Sequence, residues 1–192
     1  IGDGLVSQIP SIIVSIAAGI PVGALQSWLG QDLKIVRAMP NTPAMVQSGA
    51  TGLFANQSLD GGQQAMIENI FSAVGYACWV GRESDIDAVT AVSGSGPAYF
   101  FLVYEAMLKV AQELGLEKQT ASQLTLHTAL GAARLALASE STPNELREQV
   151  TSPGGTTQAA IESFQAQDLE GIFRTAMTSA LERAKEMSDD FK

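Results

Sequence analysis

Residues Ser139–Thr157 read SESTPNELREQVTSPGGTT, and this stretch decides what kind of chain this is. Thr142-Pro143-Asn144-Glu145 is a helix start, with a hydroxyl at the cap, proline at the first helical position and glutamate three residues after the cap. Leu146 and Val150 fall one turn apart, so the short helix has an apolar edge. Ser152-Pro153-Gly154-Gly155-Thr156-Thr157 then brings free backbone N–H groups to the start of a second helix. Free N–H groups and the positive end of a helix dipole make a resting place for a small anion. The hydroxyls of Ser152, Thr156 and Thr157 add neutral donors there. Taken alone, the segment reads more simply as a capped helix with a glycine-rich entry.

Working outward, Ser93-Gly94-Ser95-Gly96-Pro97-Ala98-Tyr99-Phe100 opens a long apolar helix reaching about Leu114. SGSGPAY and SPGGTT together resemble the C-terminal signature of the pyrroline-5-carboxylate reductases, which perform the last step of proline synthesis. The resemblance continues upstream through Ile13–Gly19 (IVSIAAG) and Arg37–Pro43 (RAMPNTP). Four motifs in the family's order cover essentially the whole chain. The fold they imply is an α/β remnant of a Rossmann-like NAD(P)-binding domain, residues 1–85, followed by an all-α dimerisation and substrate domain, residues 86–192.

Enzymes of that family begin with a Rossmann unit whose G-x-G-x-x-G-type turn holds the cofactor pyrophosphate. Gly2-Asp3-Gly4 has no strand before it, and the chain reads as opening in a helix tail from Ile1 to Ile9. The expectation is a longer polypeptide with three further βα units of about 30 residues each, on the order of 80–90 residues. The complete polypeptide would then be the enzyme, and this piece alone inactive and a poor dinucleotide binder.

With 46% hydrophobic and 16% charged residues, the chain can bury a substantial core and is not disordered. Abundant Ala, Gly and Ser suit close helix packing and a large subunit interface. A formal net charge of −9 argues against nucleic acid or an anionic membrane as partner. The single Cys78 excludes an internal disulfide and fits a reducing, cytoplasmic setting. One cysteine and one histidine, His127, make a metal site improbable. His127 reads as a helix-packing residue and Cys78 as a buried structural thiol. The apolar tracts at 98–103 and 129–138 are short or interrupted by Gly131 and Arg134, so no membrane span is expected. The first residues carry no basic region of the kind that opens a signal peptide.

The first part mixes short elements. Ser11–Ala17, Leu33–Ala38, Ser48–Ala55 and Tyr76–Val80 read as strands, and Val22–Leu29 and Leu59–Val74 as helices. Pro40 and Pro43 bar a helix between the second and third strands. From Ile86 the pattern is helical. Gly115 ends the first long helix, Thr120-Ala121-Ser122-Gln123 fits a capping box for the next, and Thr157–Phe164 and Leu169–Met187 form the last two. The helix from Ala98 to Leu114 carries more apolar surface than about 100 residues of helical domain can enclose. An interlocked homodimer, alone or assembled into a higher oligomer, is therefore expected, burying more than about 2,000 Å².

The resemblance implies a small cyclic imine bearing a carboxylate as substrate, and NADPH or NADH as cofactor. Ser152, Gly154, Gly155, Thr156 and Thr157 would hold the carboxylate. The Thr157 hydroxyl would orient the imine nitrogen, and Glu140 would stabilise an iminium or fix Thr157. A solvated helix-end glutamate explains Glu140 equally well. Ala17, Ala18 and Gly19 after the first strand, and Met39, Pro40 and Asn41 after the second, stand where Rossmann-type folds place the nicotinamide end. Each of those also reads as an ordinary strand terminus, and Ser93 and Ser95 as helix caps before ligand contacts. Two further functions stay open. Another imine or β-hydroxy-acid reductase of the same architecture would want a lysine after a Gly-rich turn, a context Lys109 and Lys118 lack. A non-catalytic dimerisation module is the other.

Overall fold

The computed structural model describes residues 12–30 and 33–191, so the expected helix tail at Ile1–Ile9 lies outside the described residues. Two compact units emerge. One comprises the described residues of Ile1–Pro97 with Ala176–Lys192, the other Ala98–Thr175. The division between units falls later than residue 85 because Ile86 and Ala91 are buried in the first unit's core, as is Ala184 near the C-terminus.

The first unit is a four-stranded sheet in the order β1 (Ile12–Ser15), β2 (Lys34–Met39), β3 (Gly49–Ala55), β4 (Gly75–Trp79). Helix α1 (Val22–Leu29) crosses from β1 to β2, and α2 (Gly61–Ser72) from β3 to β4, so both pairs are parallel. β2 and β3 are antiparallel. Only residues 40–48 join them, too few for the crossover a parallel pair needs. The two prolines do not bar a helix altogether, since Thr42–Val46 forms a 3-10 turn with proline in its first positions. There the missing N–H would have had no intrahelical partner.

β2 is buried from Ile35 to Ala38, and its alternation serves both faces of the sheet. Val36 and Ala38 pack with Leu53 of β3 and with Ile67 and Phe71 of α2, while Ile35 packs with Val22 and Leu25 of α1. Asp60 caps α2 in a reciprocal arrangement with Gln63. Cys78 is a half-buried free thiol.

SGSGP opens the long helix only from Gly96, its first two residues closing a π turn instead. Helix α3 (Asp85–Val89), a π turn (Thr90–Gly94) and α4 (Gly96–Glu113) follow one another, with Ser95 N–H donating to the Thr90 carbonyl at 2.8 Å. Ser93 is not a cap, because its hydroxyl donates to the Val89 carbonyl at 3.0 Å. Taken together, Asp85–Glu113 is long and apolar enough by length and composition to cross a membrane, which the broken apolar tracts of the sequence did not suggest.

The second unit holds the rest of α4, α5 (Lys118–Ala138), α6 (Pro143–Gln149), α7 (Thr156–Ala166) and the start of α8 (Leu169–Asp189). α5 starts earlier than Thr120. Glu117 is its cap, accepting from the N–H groups of Gln119 and Thr120. The expected box at Thr142 and Glu145 is present around α6. In this unit only Ala121 and Thr125 are buried, and the expected burial of α4 is not met within the chain, where Phe101 is 58% exposed.

Candidate active site

Both sheet-side segments stand at the carboxyl ends of the parallel β1–β2 pair. Ala17 and Ala18 are exposed and carry nothing beyond Cβ, while Gly19 is buried at φ +74° with a Cβ position 2.8 Å from Met187 Cβ. Only glycine combines that left-handed backbone with so close an approach. Met39 and Pro40 are half-buried. The small, open Ala17–Ala18 surface fits the close passage of a nicotinamide group.

Asn41 is differently engaged. Its Oδ1 accepts from Ala50 N–H at 2.9 Å, and its Nδ2 donates to the Ser93 carbonyl at 2.9 Å. That carbonyl is free because Pro97, four residues on, has no N–H to donate to it. Asn41 thus ties the end of β2 to the start of β3 and to the π turn, and its amide is committed to backbone at both ends.

The same corner contains a charged pair that the sequence did not single out. Arg37 is almost wholly buried and donates to Glu83 Oε1 at 2.9 Å. The same oxygen accepts from Val22 N–H at 2.6 Å. An arginine inside a buried strand run, KIVRAM, was the available signal, since such a charge needs a partner. Burial pushes the Asp87 carboxyl above its usual range, and the Arg37 and Lys185 charges oppose that shift.

In the helical unit the SPGGTT turn leads into α7. Gly154 takes φ +73°, a conformation cheap only for glycine. Its N–H donates to Gln158 Oε1 at 2.6 Å, and Gly155 N–H to the Ser152 carbonyl at 3.0 Å. Those two groups are therefore engaged within the turn. Gly155 offers no side-chain cap, and the first helical bond runs from Ala159 N–H to the Gly155 carbonyl. The N–H groups of Thr156, Thr157 and Gln158 begin the helix without an intrahelical acceptor. Gln158 is thus a member of the turn that the sequence reading omitted. Thr157 is half-buried, whereas Ser152 and Thr156 are exposed. Glu140 is exposed between α5 and α6. The Thr142 N–H and hydroxyl hold the Glu145 carboxyl below its usual range.

Two apolar grooves lie apart from this turn. One, of about 570 Å³, is lined by β3, β4 and α3 with the π turn, including Tyr76, Cys78 and Val92. The other, of about 350 Å³, lies between α4 and α5, against Phe101, Tyr104, Leu108 and Leu126. Among the described residues no group of His, Cys, Asp or Glu is placed to hold a metal.

A βα sheet remnant with small residues at its carboxyl edge, followed by helices that bury little of their apolar surface, defines a two-part chain of the Rossmann-plus-helical-domain class. The family model described as pyrroline-5-carboxylate reductase dimerisation matches residues 83–187. A pyrroline-5-carboxylate reductase of Pseudomonas aeruginosa is 54% identical over 93% of this chain and 65% of its own length. A solved reductase of that name from Coxiella burnetii superposes with a TM-score of 0.91 at 48% identity, covering 95% of this chain and 67% of its own. The Plasmodium falciparum structure, solved with NADP bound, gives 0.85 at 29% identity, covering 93% of this chain and 70% of its own. This chain belongs to the pyrroline-5-carboxylate reductase family, and it spans about two thirds of the length of these relatives.

Proposed function

We propose that the complete protein carrying this sequence reduces 1-pyrroline-5-carboxylate to L-proline with NADPH or NADH, as a cytoplasmic homodimer. The observation that carries this reading is the open first turn of α7. In a chain of this family, uncommitted N–H groups of Thr156, Thr157 and Gln158 meet the positive end of a helix dipole. A carboxylate held there needs no Arg or Lys. Ser152 adds a hydroxyl. Gly154 and Gly155 let the backbone approach, their own N–H groups shaping the turn. Residues 1–85 would then form the cofactor side and residues 86–192 the substrate and dimerisation side.

NADPH or NADH supplies the hydride when bound. Ala17, Ala18 and Gly19, with Met39 and Pro40, would border its nicotinamide end. Asn41 contributes there by holding backbone rather than through a free amide. The Thr157 hydroxyl hydrogen-bonds the ring nitrogen. It does not titrate near neutrality, so it orients a nitrogen already protonated, or passes a proton from water. Glu140 supplies negative charge for an iminium. The exposed apolar residues of α4 face a second copy of the chain rather than lipid, and Glu105 and Lys109 within it would be costly in a bilayer.

Thr157→Ala should lower turnover while leaving the fold intact, and Thr157→Val should separate loss of the hydroxyl from loss of volume. Full activity of both variants would remove Thr157 from the mechanism. Preference for a 3-hydroxy acid over the cyclic imine, assayed with both cofactors, would replace this function by that of a β-hydroxy-acid reductase.

A further inference from the structure

We propose that Glu83 is a positioning residue for the loop between β1 and α1, and through it for cofactor affinity. The part concerning affinity rests on the reading that Ala17, Ala18 and Gly19 border the nicotinamide. That loop ends at Pro21, which stands at the cap position of α1 with no side-chain cap bond. Proline has no polar side-chain atom with which to cap a helix. The acceptor comes instead from 61 positions away, where Glu83 Oε1 takes the first helical N–H, that of Val22, at 2.6 Å. A carboxylate at this end also meets the positive pole of the helix.

The same oxygen holds Arg37, whose side chain is 5% exposed, while that of Glu83 is 33% exposed. Arg37 lies two residues before the end of β2, so one carboxylate joins the exits of both strands that flank the cofactor side. Glu83 also stands just ahead of α3, at the first residue matched by the family model. The β1–α1 loop is anchored at its other side by Gly19 against Met187. Removing the Glu83 carboxylate therefore frees the start of α1 while the Gly19 contact stays in place.

The test uses the complete polypeptide with Glu83→Gln, Glu83→Asp and Glu83→Ala. Glutamine keeps an acceptor of the same reach without the charge, and aspartate keeps the charge without the reach. Both should raise the KM for NADPH by about five- to tenfold, with kcat and the KM for the imine within about twofold. Backbone amides of residues 16–25 should exchange with solvent about tenfold faster, with α2 unchanged as an internal reference. Should the alanine variant fail to fold around an unpaired Arg37, the other two carry the measurement. Unchanged exchange in residues 16–25 overturns the proposal. So does faster exchange with unchanged NADPH affinity, since Glu83 would then act on stability alone. A wild-type protein that binds NADPH in calorimetry yet does not reduce the imine removes the proposed function and leaves the Glu83 result standing. One that binds no NADPH overturns both.

Discussion

The two units differ in what they can bury by themselves. The sheet unit encloses Ile35, Val36, Leu53 and Ile67 at 1% exposure or less, whereas the helical unit buries only Ala121 and Thr125 and leaves Phe100, Phe101 and Leu102 each more than half exposed. The reason is geometric. A sheet with helices on its faces closes two apolar layers within one chain. A handful of helices with apolar residues on most faces of α4 does not, and its exposed surface calls for a partner. The sheet unit owes its stability to its own contacts, and the helical unit should owe much of its own to a second copy.

The largest expected effect tests that contrast directly. Phe101→Glu should abolish soluble folded protein, because a charge would enter an apolar core shared by two copies. Ile70→Glu on α2 should be tolerated, although Ile70 at 54% and Phe101 at 58% are almost equally exposed in the single chain. Expression in soluble form and sedimentation decide it. A folded, monomeric Phe101→Glu protein at low micromolar concentration would erase the difference between the units.

A smaller pair of effects sharpens it. Leu53→Ala removes a fully buried side chain and should cost about 3 kcal/mol at any protein concentration. Leu130→Ala, at a position 45% exposed in the single chain, should cost little there. Its penalty should appear as a weakened dimer, so its unfolding midpoint should fall on dilution more than that of the unaltered chain. Urea titrations at two concentrations distinguish the two. A concentration-independent loss in Leu130→Ala would mean that the helical unit is stable without a partner.

The smallest effect is a pH dependence from two carboxyls, Asp87 in the sheet unit and Glu145 in the helical unit. Burial raises the folded Asp87 carboxyl above its unfolded value, so the folded state keeps this proton to higher pH. Stability from this group then falls as pH rises through the interval between the two values, and acidification restores it. Asp87→Asn should flatten that interval and raise neutral-pH stability slightly, because the half-buried carboxyl is partly screened. Glu145 runs the other way. Its carboxyl is held low by Thr142, so its contribution is present above the unfolded value and is lost as pH falls through the folded one. Urea midpoints across the acidic range check the first, and carboxyl NMR titration the second.

By itself the sequence determined whatever a few neighbouring residues encode. Val22–Leu29 is a helix with the bounds read from its apolar spacing, and the Thr142–Glu145 box and the strands around Val36 and Ala77 fall where they were expected. The family was legible too, because its glycine, serine and proline motifs are local strings. The tertiary structure alone decided what depends on groups far apart in the chain. It gave the Ser93 carbonyl, left free by Pro97, to the Asn41 amide from 52 positions away. It also tied the Asn41 side-chain carbonyl to Ala50 N–H, and it paired Arg37 with Glu83 across 46 positions. A cap or a turn is satisfied within one helical turn of its own residues. A buried charge or an orphaned carbonyl is satisfied by whatever the fold brings near it.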